Sequence, residues 1–189
     1  MRKIILFMHT TLDGFVAGPN GEMDWINADD EMFAFARKQT DDADTALYGR
    51  VTYEMMNGYW PAAGDQPNAN EHDIEHSRWY NQVLKVVLSK TINHNGSGKT
   101  KVISDHVPEY IKELKQTDGK NILVLGSATA SHFLFSEGLI DEFWLFVNPV
   151  VIGQGIPLFK GIKEPAKLSL ANSKTYSCGV VSLHYQTKK

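Results

Sequence analysis

The stretch from Asn121 to Val151, NILVLGSATASHFLFSEGLIDEFWLFVNPVV, restricts the architecture more than any other part of the chain. An apolar run, Ile122 to Leu125, stops at Gly126-Ser127-Ala128-Thr129. A segment of helical period follows, then a second apolar run, Phe143 to Val147. That order predicts strand, tight turn, helix and strand, a single βαβ unit. Gly126 gives the backbone freedom to bend sharply and to approach a ligand closely. The first amides of the helix have no internal partner, so the bend can hold an anion such as phosphate. The plainer alternative is that Gly126 only turns the chain and Ser127 only caps the helix.

Strands and helices alternate along the rest of the sequence. Lys3 to His9 reads as a strand and Phe15 to Ala17 as a short extended piece. Ala28 to Gln39 reads as a helix, with Asp29 or Asp30 at its start. Thr45 to Tyr48 is a strand, Gly49-Arg50 a second βα turn, and Val51 to Asn57 a short helix. Tyr59 to Asn70, rich in Pro, Gly, Asn and Ala, is expected to be a loop. Glu71 to Gln82 is helical by pattern, and Val83 to Leu88 is a nearly continuous apolar strand suited to a buried position. Asn93 to Lys99 is a polar, glycine-rich connection, Lys101 to Ile103 a strand, and Pro108 to Gln116 a helix with proline near its first turn. Ile152 to Pro165 is expected to be a loop. Ala166 to Lys174 and Val180 to Thr187 form a hairpin. The expected fold class is α/β: one domain over 1–189, with a mostly parallel central sheet, flanking helices and a C-terminal antiparallel hairpin.

Composition removes several function classes. Nineteen basic against 22 acidic residues give a net charge of −3, and no basic block is present, so there is no footprint for nucleic acid. No apolar run approaches a membrane span, and the Ile4 to Met8 run is too short for a secretory signal. The single Cys178 excludes an internal disulfide and a cysteine-based zinc site, and points to a reducing cytoplasm.

Two glycine bends, Gly49-Arg50-Val51-Thr52 and Gly126-Ser127-Ala128-Thr129, would present two helix N-termini to one crevice and grip the phosphates of a dinucleotide. Arg50 adds a fork of donors and Thr52 a hydroxyl, though a surface ion pair would equally account for Arg50. Ser89-Lys90-Thr91 ends a strand with a hydroxyl, a cation and a hydroxyl, which suits the 2′-phosphate of NADP; the alternative is an ordinary polar strand end. Asn95-Gly96-Ser97-Gly98-Lys99-Thr100 is not a P-loop, because Asn93 stands where a glycine is required and a strand follows. His72-Asp73-Ile74-Glu75-His76 matches the H-x-x-E-H metallopeptidase pattern, but no third ligand is indicated and a solvated helix face is the expected reading, with no metal. Asp13 and Asp30 are candidates for orienting substrate or delivering a proton, against roles as a turn residue and a helix-start acid.

Five segments together resemble the dihydrofolate-reductase-like superfamily, in the branch holding the reductase domain of riboflavin biosynthesis and its stand-alone relatives. They are Thr11-Leu12-Asp13-Gly14-Phe15-Val16-Ala17, Tyr48-Gly49-Arg50-Val51-Thr52-Tyr53, Leu123-Val124-Leu125-Gly126-Ser127-Ala128, Gly138-Leu139-Ile140-Asp141-Glu142 and Asn148-Pro149-Val150-Val151-Ile152-Gly153. The resemblance implies an eight-stranded twisted sheet, an NADPH site and a homodimer. It puts Gly49, Arg50 and Thr52 at the first phosphate-binding helix, and Ser89 and Lys90 near the 2′-phosphate. Gly126, Ser127, Ala128 and Thr129 would cradle the pyrophosphate. Leu12, Asp13, Gly14, Phe15 and Val16 would form the loop beside the nicotinamide. Apart from the resemblance, Phe15 and Trp25 are candidates for walling the substrate pocket, against the plainer role of core aromatics. The sequence departs from the pattern at Gly-Ser-Ala, where pterin reductases carry consecutive glycines, and it has neither the length nor the paired cysteines of an attached zinc deaminase domain. The function expected is NADPH-dependent reduction of a small pterin-like or ribosylamino-pyrimidine-like molecule. The competing expectations are a non-catalytic nucleotide or heterocycle binder and a metallohydrolase built on His72 and His76.

Overall fold

The computed structural model describes residues 1–92, 98–162 and 164–188. Residues 93–97, which hold most of the glycine-rich connection and half of the P-loop look-alike, lie outside them. The elements in chain order are β1 (Ile4–Thr11), β2 (Phe15–Ala17), α1 (Asp30–Asp41), β3 (Ala43–Gly49), α2 (Arg50–Ala63), α3 (Glu71–Gln82), β4 (Leu84–Leu88), β5 (Thr100–Ile103), α4 (Val107–Gln116), β6 (Asn121–Leu125), α5 (Ala128–Ser136), β7 (Glu142–Asn148), β8 (Ile156–Pro157), β9 (Leu168–Thr175) and β10 (Val181–Thr187).

The main sheet has eight strands in the order β5-β4-β3-β6-β1-β7-β10-β9. The pairings from β5 through β7 are all parallel, and β10 runs antiparallel to both β7 and β9. The chain steps outward from β1 to β3, β4 and β5, then returns so that β6 fills the gap between β3 and β1. The carboxyl ends of β4, β3, β6 and β1 therefore lie side by side on one edge. In an open parallel sheet that edge, near a reversal of strand order, is where a ligand crevice forms.

Strands β1, β3, β4, β6 and β7 are largely buried on both faces, which is why they read as mostly apolar runs, whereas β9 at the sheet edge is mostly exposed. Alternate residues of β1 serve different cores. Ile4, Leu6 and Met8 pack with Ile111, Leu134 and Phe143 on the side of α4 and α5. Ile5 packs with Met32, Tyr48, Tyr80 and Phe146 on the side of α1, α2 and α3, and Phe7 leans on the same cluster. His9 continues that second row.

Three expectations need correction. Helix α1 begins at Asp30, not Ala28; Asp29 is its N-cap and accepts a 2.9 Å bond from the Met32 amide. The segment read as a loop from Tyr59 continues α2 as far as Ala63, with Pro61 inside the last turn. Proline near a helix end forfeits few backbone bonds. Contact with α3 makes up for them: the Pro61 carbonyl accepts from Asn81 Nδ2 at 3.0 Å, and a Cβ on Gly64 would stand 3.1 Å from Ile74 Cα. Finally, the loop after β7 contains β8, which pairs with β2; a Cβ on Gly155 would come within 2.3 Å of the Ala17 carbonyl oxygen, so the approach requires glycine. Among the described residues no helix is long and apolar enough to cross a membrane.

Candidate functional site

Because β3 and β6 are parallel neighbours, Gly49 and Gly126 emerge together. The Gly49 amide donates to Ser127 Oγ at 2.7 Å, a bond from one bend to the other. Ser127 thus occupies the N-cap position of α5 without capping it, and α2 also lacks a side-chain cap. Both helix N-termini keep unsatisfied amides at the crevice. Gly126 and Ser127 are left-handed in succession, with φ of +64° and +63°. A Cβ on Gly49 would stand 2.8 Å from Ser127 Oγ, so the two bends touch with no room to spare.

Around them opens a groove of about 630 Å³. Gly49, Arg50, Thr52, Ser89, Lys90, Ser127, Ala128 and Thr129 all line it. Arg50 Nη1 donates to Glu54 Oε2 at 2.8 Å on the helix surface. An exposed i,i+4 pair of this kind contributes about 0.3–0.5 kcal/mol, too little to hold the guanidinium against a phosphate. Ser89 Oγ accepts from the amides of Thr91 and Ile92, each at 3.1 Å, and so shapes the loop that carries Lys90.

A second cavity, of about 410 Å³, adjoins the groove and shares Val51, Thr52, Ser127, Ala128 and Ile156 with it. Its sheet floor is Phe7, His9, Leu123, Leu125 and Phe146, and α1, α2 and α3 supply Met32, Phe33, Met55, Trp60, His72 and His76. His9 stacks on Phe146 with ring centres 5.1 Å apart, and burial lowers its pKa to about 4. Burial lowers His76 to about 3, with His72 adding to the effect. His72 is also lowered by burial, against the opposing pull of Asp73 and Glu75. Asn148, fully buried, donates to the Thr10 and Phe146 carbonyls at 3.1 Å each and accepts from the Asn27 amide at 2.8 Å, tying the segment before α1 across the sheet end.

Residues 2–182 match the model of the RibD C-terminal domain. The chain belongs to the RibD C-terminal domain family. Protein YyaP of Bacillus subtilis, whose activity is uncharacterised, is 37% identical over 97% of this chain and 94% of its own length. Two solved structures share the dihydrofolate-reductase-like fold. One is a protein of Shewanella sp. PV-4 assigned by name to riboflavin biosynthesis, with TM-score 0.74, 22% identity and 99% of both chains covered. The other is the diaminohydroxyphosphoribosylaminopyrimidine deaminase/5-amino-6-(5-phosphoribosylamino)uracil reductase of Thermotoga maritima, with TM-score 0.69 and 17% identity, covering 99% of this chain and 57% of that one.

This RibD C-terminal domain brings together the residues named for phosphate binding, with Gly126 facing the apolar cavity rather than the groove. It does not bring together the others. Asp13 lies outside the lining of both cavities; its carboxylate accepts from Gly153 N at 2.8 Å and Ile152 N at 3.4 Å. The Thr11 hydroxyl and those amides hold its pKa below the usual carboxylate value. Geometry therefore makes it a staple between two loops. Asp30 is exposed in the first turn of α1, where a carboxylate favours the helix dipole, and it too lines neither cavity. Of the expected substrate-loop residues only Val16 lines the apolar cavity; Leu12 is 68% exposed, and Gly14, Phe15 and Trp25 stand outside the lining. Trp25 Nε1 is buried with no partner among the described residues.

His72 and His76 are the main residues misread from sequence. Their face is half-buried among rings rather than freely solvated: His76 packs on Trp60 at 4.0 Å and His72 stacks on Phe33 at 4.3 Å. The four-residue spacing did place them on one face, and that was the available signal. Among the described residues no group of three or more His, Cys, Asp or Glu could hold a metal ion.

Proposed function

We propose that the chain is an NADPH-dependent reductase of a small heterocyclic molecule, of the ribosylamino-pyrimidine or pterin kind, acting by hydride transfer. One observation carries the reading: the Gly49 to Ser127 bond locks two uncapped helix N-termini at the rim of a groove that also holds Arg50 and Lys90. Amide donors and two cations are the chemistry that a pyrophosphate and a 2′-phosphate require. These residues fit the coenzyme, which would supply the hydride when bound.

The chain's own part is binding, orientation and exclusion of water. Arg50 and Lys90 neutralise phosphate charge, and Gly49 and Gly126 keep side chains out of the space between the bends. The five residues shared by groove and cavity let one ligand reach from the polar site to the apolar one. The apolar walls dry the place where the two reactants meet, which strengthens the polar contacts made there. The reading treats 1–189 as one reductase domain in a reducing cytoplasm, with a small-molecule partner, no nucleic acid or membrane partner, and a homodimer as its assembly. Light scattering measures the last.

The test is NADPH oxidation, followed by absorbance, against a panel of pterins and ribosylamino-pyrimidines. The expected result is oxidation that depends on both protein and a panel member. Losing one charge-assisted contact costs about 1.5–3 kcal/mol, so Arg50→Ala should weaken NADPH roughly tenfold or more. No oxidation with any member, together with unchanged NADPH affinity in Arg50→Ala, removes the proposal.

A further inference from the structure

The two adjoining spaces differ sharply in charge. The groove holds Arg50 and Lys90. Among the described residues lining the 410 Å³ cavity there is no Asp, Glu, Lys or Arg. Its titratable groups are His9, His72 and His76, all shifted by burial toward the neutral form. At neutral pH the cavity therefore offers a ligand no formal charge of either sign. Two cations do stand in the adjoining recess, Arg37 and Arg78; the Arg37 guanidinium is paired with Glu75, and neither arginine lines the cavity.

A phosphate or carboxylate placed in such a cavity would lose its hydration without gaining a counter-charge, and that loss is large in an apolar setting. What the walls do offer is rings. Trp60 meets His76 at 4.0 Å with a 41° tilt and His72 edge-on at 5.8 Å, while Phe33 lies over His72 at 4.3 Å. Across the cavity, the floor carries His9 stacked on Phe146. Flat faces backed by thioethers from Met32 and Met55 suit a planar ring, which gains dispersion contact and loses little hydration.

We propose that this cavity receives a planar, uncharged ring carrying no phosphate or carboxylate arm, with Trp60, His72 and His76 as its recognition surface. The inference rests on the reductase reading only in calling that ring the substrate; the binding preference stands without it. It separates this chain's substrate from any ribosylamino-pyrimidine that bears a 5′-phosphate.

A matched pair of probes tests it: 2-naphthol and 2-naphthyl phosphate, the same ring without and with a phosphate. Binding of tritiated 2-naphthol is followed by equilibrium dialysis in the absence of NADPH, so a failed NADPH titration leaves the result readable. The phosphate ester is then used as a displacer, which ignores any ester bound at Arg50 and Lys90. The expected result is one site for 2-naphthol, weakened at least tenfold by Trp60→Ala, and at least tenfold poorer displacement by the ester than by unlabelled naphthol. Met55→Lys, at a position 46% exposed on the cavity wall, brings in a cation with little risk to folding and should improve the ester as a displacer at least fivefold. Displacement by the ester at the same concentration as naphthol, no binding of naphthol, or no gain in Met55→Lys overturns the proposal.

Discussion

Ser127 holds a left-handed backbone that costs a non-glycine residue about 1 kcal/mol, and its hydroxyl receives the Gly49 amide in return. This explains why the bend can be Gly-Ser-Ala without consecutive glycines. Ser127→Ala keeps the strain and orphans a half-buried N–H, so it should lower unfolding free energy by about 1–3 kcal/mol in urea. Ser127→Gly loses the same bond but relieves the strain, so it should cost less than Ser127→Ala; equal costs would mean that the left-handed backbone carries no strain, and no loss in Ser127→Ala would mean that the bond contributes nothing. Asp29 accepts from Met32 N at 2.9 Å, Ser177 Oγ at 2.7 Å and Cys178 N at 3.2 Å. The Ser177 hydroxyl first, with those amides, lowers its pKa to about 2. A carboxylate depressed in the folded state adds stability above its unfolded pKa and loses it as pH falls through the folded value. Asp29→Asn should therefore flatten the decline in thermal stability between about pH 4 and pH 2. An unchanged slope would show that the carboxylate is not held by these donors.

At the level of elements, the strands of the main sheet and the two glycine bends were legible because each is local, whereas the two-residue β8 was not. A continuous apolar run ending in glycine and leading into a helical pattern occupies only a dozen residues or so, and β3–α2 and β6–α5 both have that form. The apolar cavity was not legible in the same way. Its walls come from β1, β6, β7, α1, α2 and α3, and no segment carries more than a few of them. Trp60 sat in a stretch whose Gly58, Pro61 and Gly64 read as loop by propensity, and packing on α3 overrode that tendency. Asp13 and Asp30 were chosen for their chemistry as residues, whereas hydrogen bonding and exposure decide what they do. Asn148 is the element-level joint most open to test. Asn148→Ala would remove three hydrogen bonds, from the Asn27 amide and to the Thr10 and Phe146 carbonyls, so a loss of at least about 2 kcal/mol is expected in urea unfolding. A loss under about 0.5 kcal/mol would show that the segment before α1 holds itself.

Across the whole molecule, three imidazoles buried against one cavity set its acid response. His9, lowered to about 4, and His76, lowered to about 3, stay neutral in the folded state while the unfolded chain takes up protons near the usual value of 6.5. The unfolded state then binds more protons, so stability falls as pH drops from about 7 toward about 4, ahead of the Asp29 effect. His76→Gln should make thermal stability less steep over that interval, and an identical profile would mean that His76 is charged in the folded protein. The account centres on the groove where the glycine bends of β3 and β6 meet, and calorimetric titration with NADPH and NADH tests it most directly. It predicts one NADPH site per chain, at least tenfold weaker binding of NADH, and loss of that preference in Lys90→Ala. No NADPH binding, or equal binding of the two coenzymes by the unaltered protein, would contradict it.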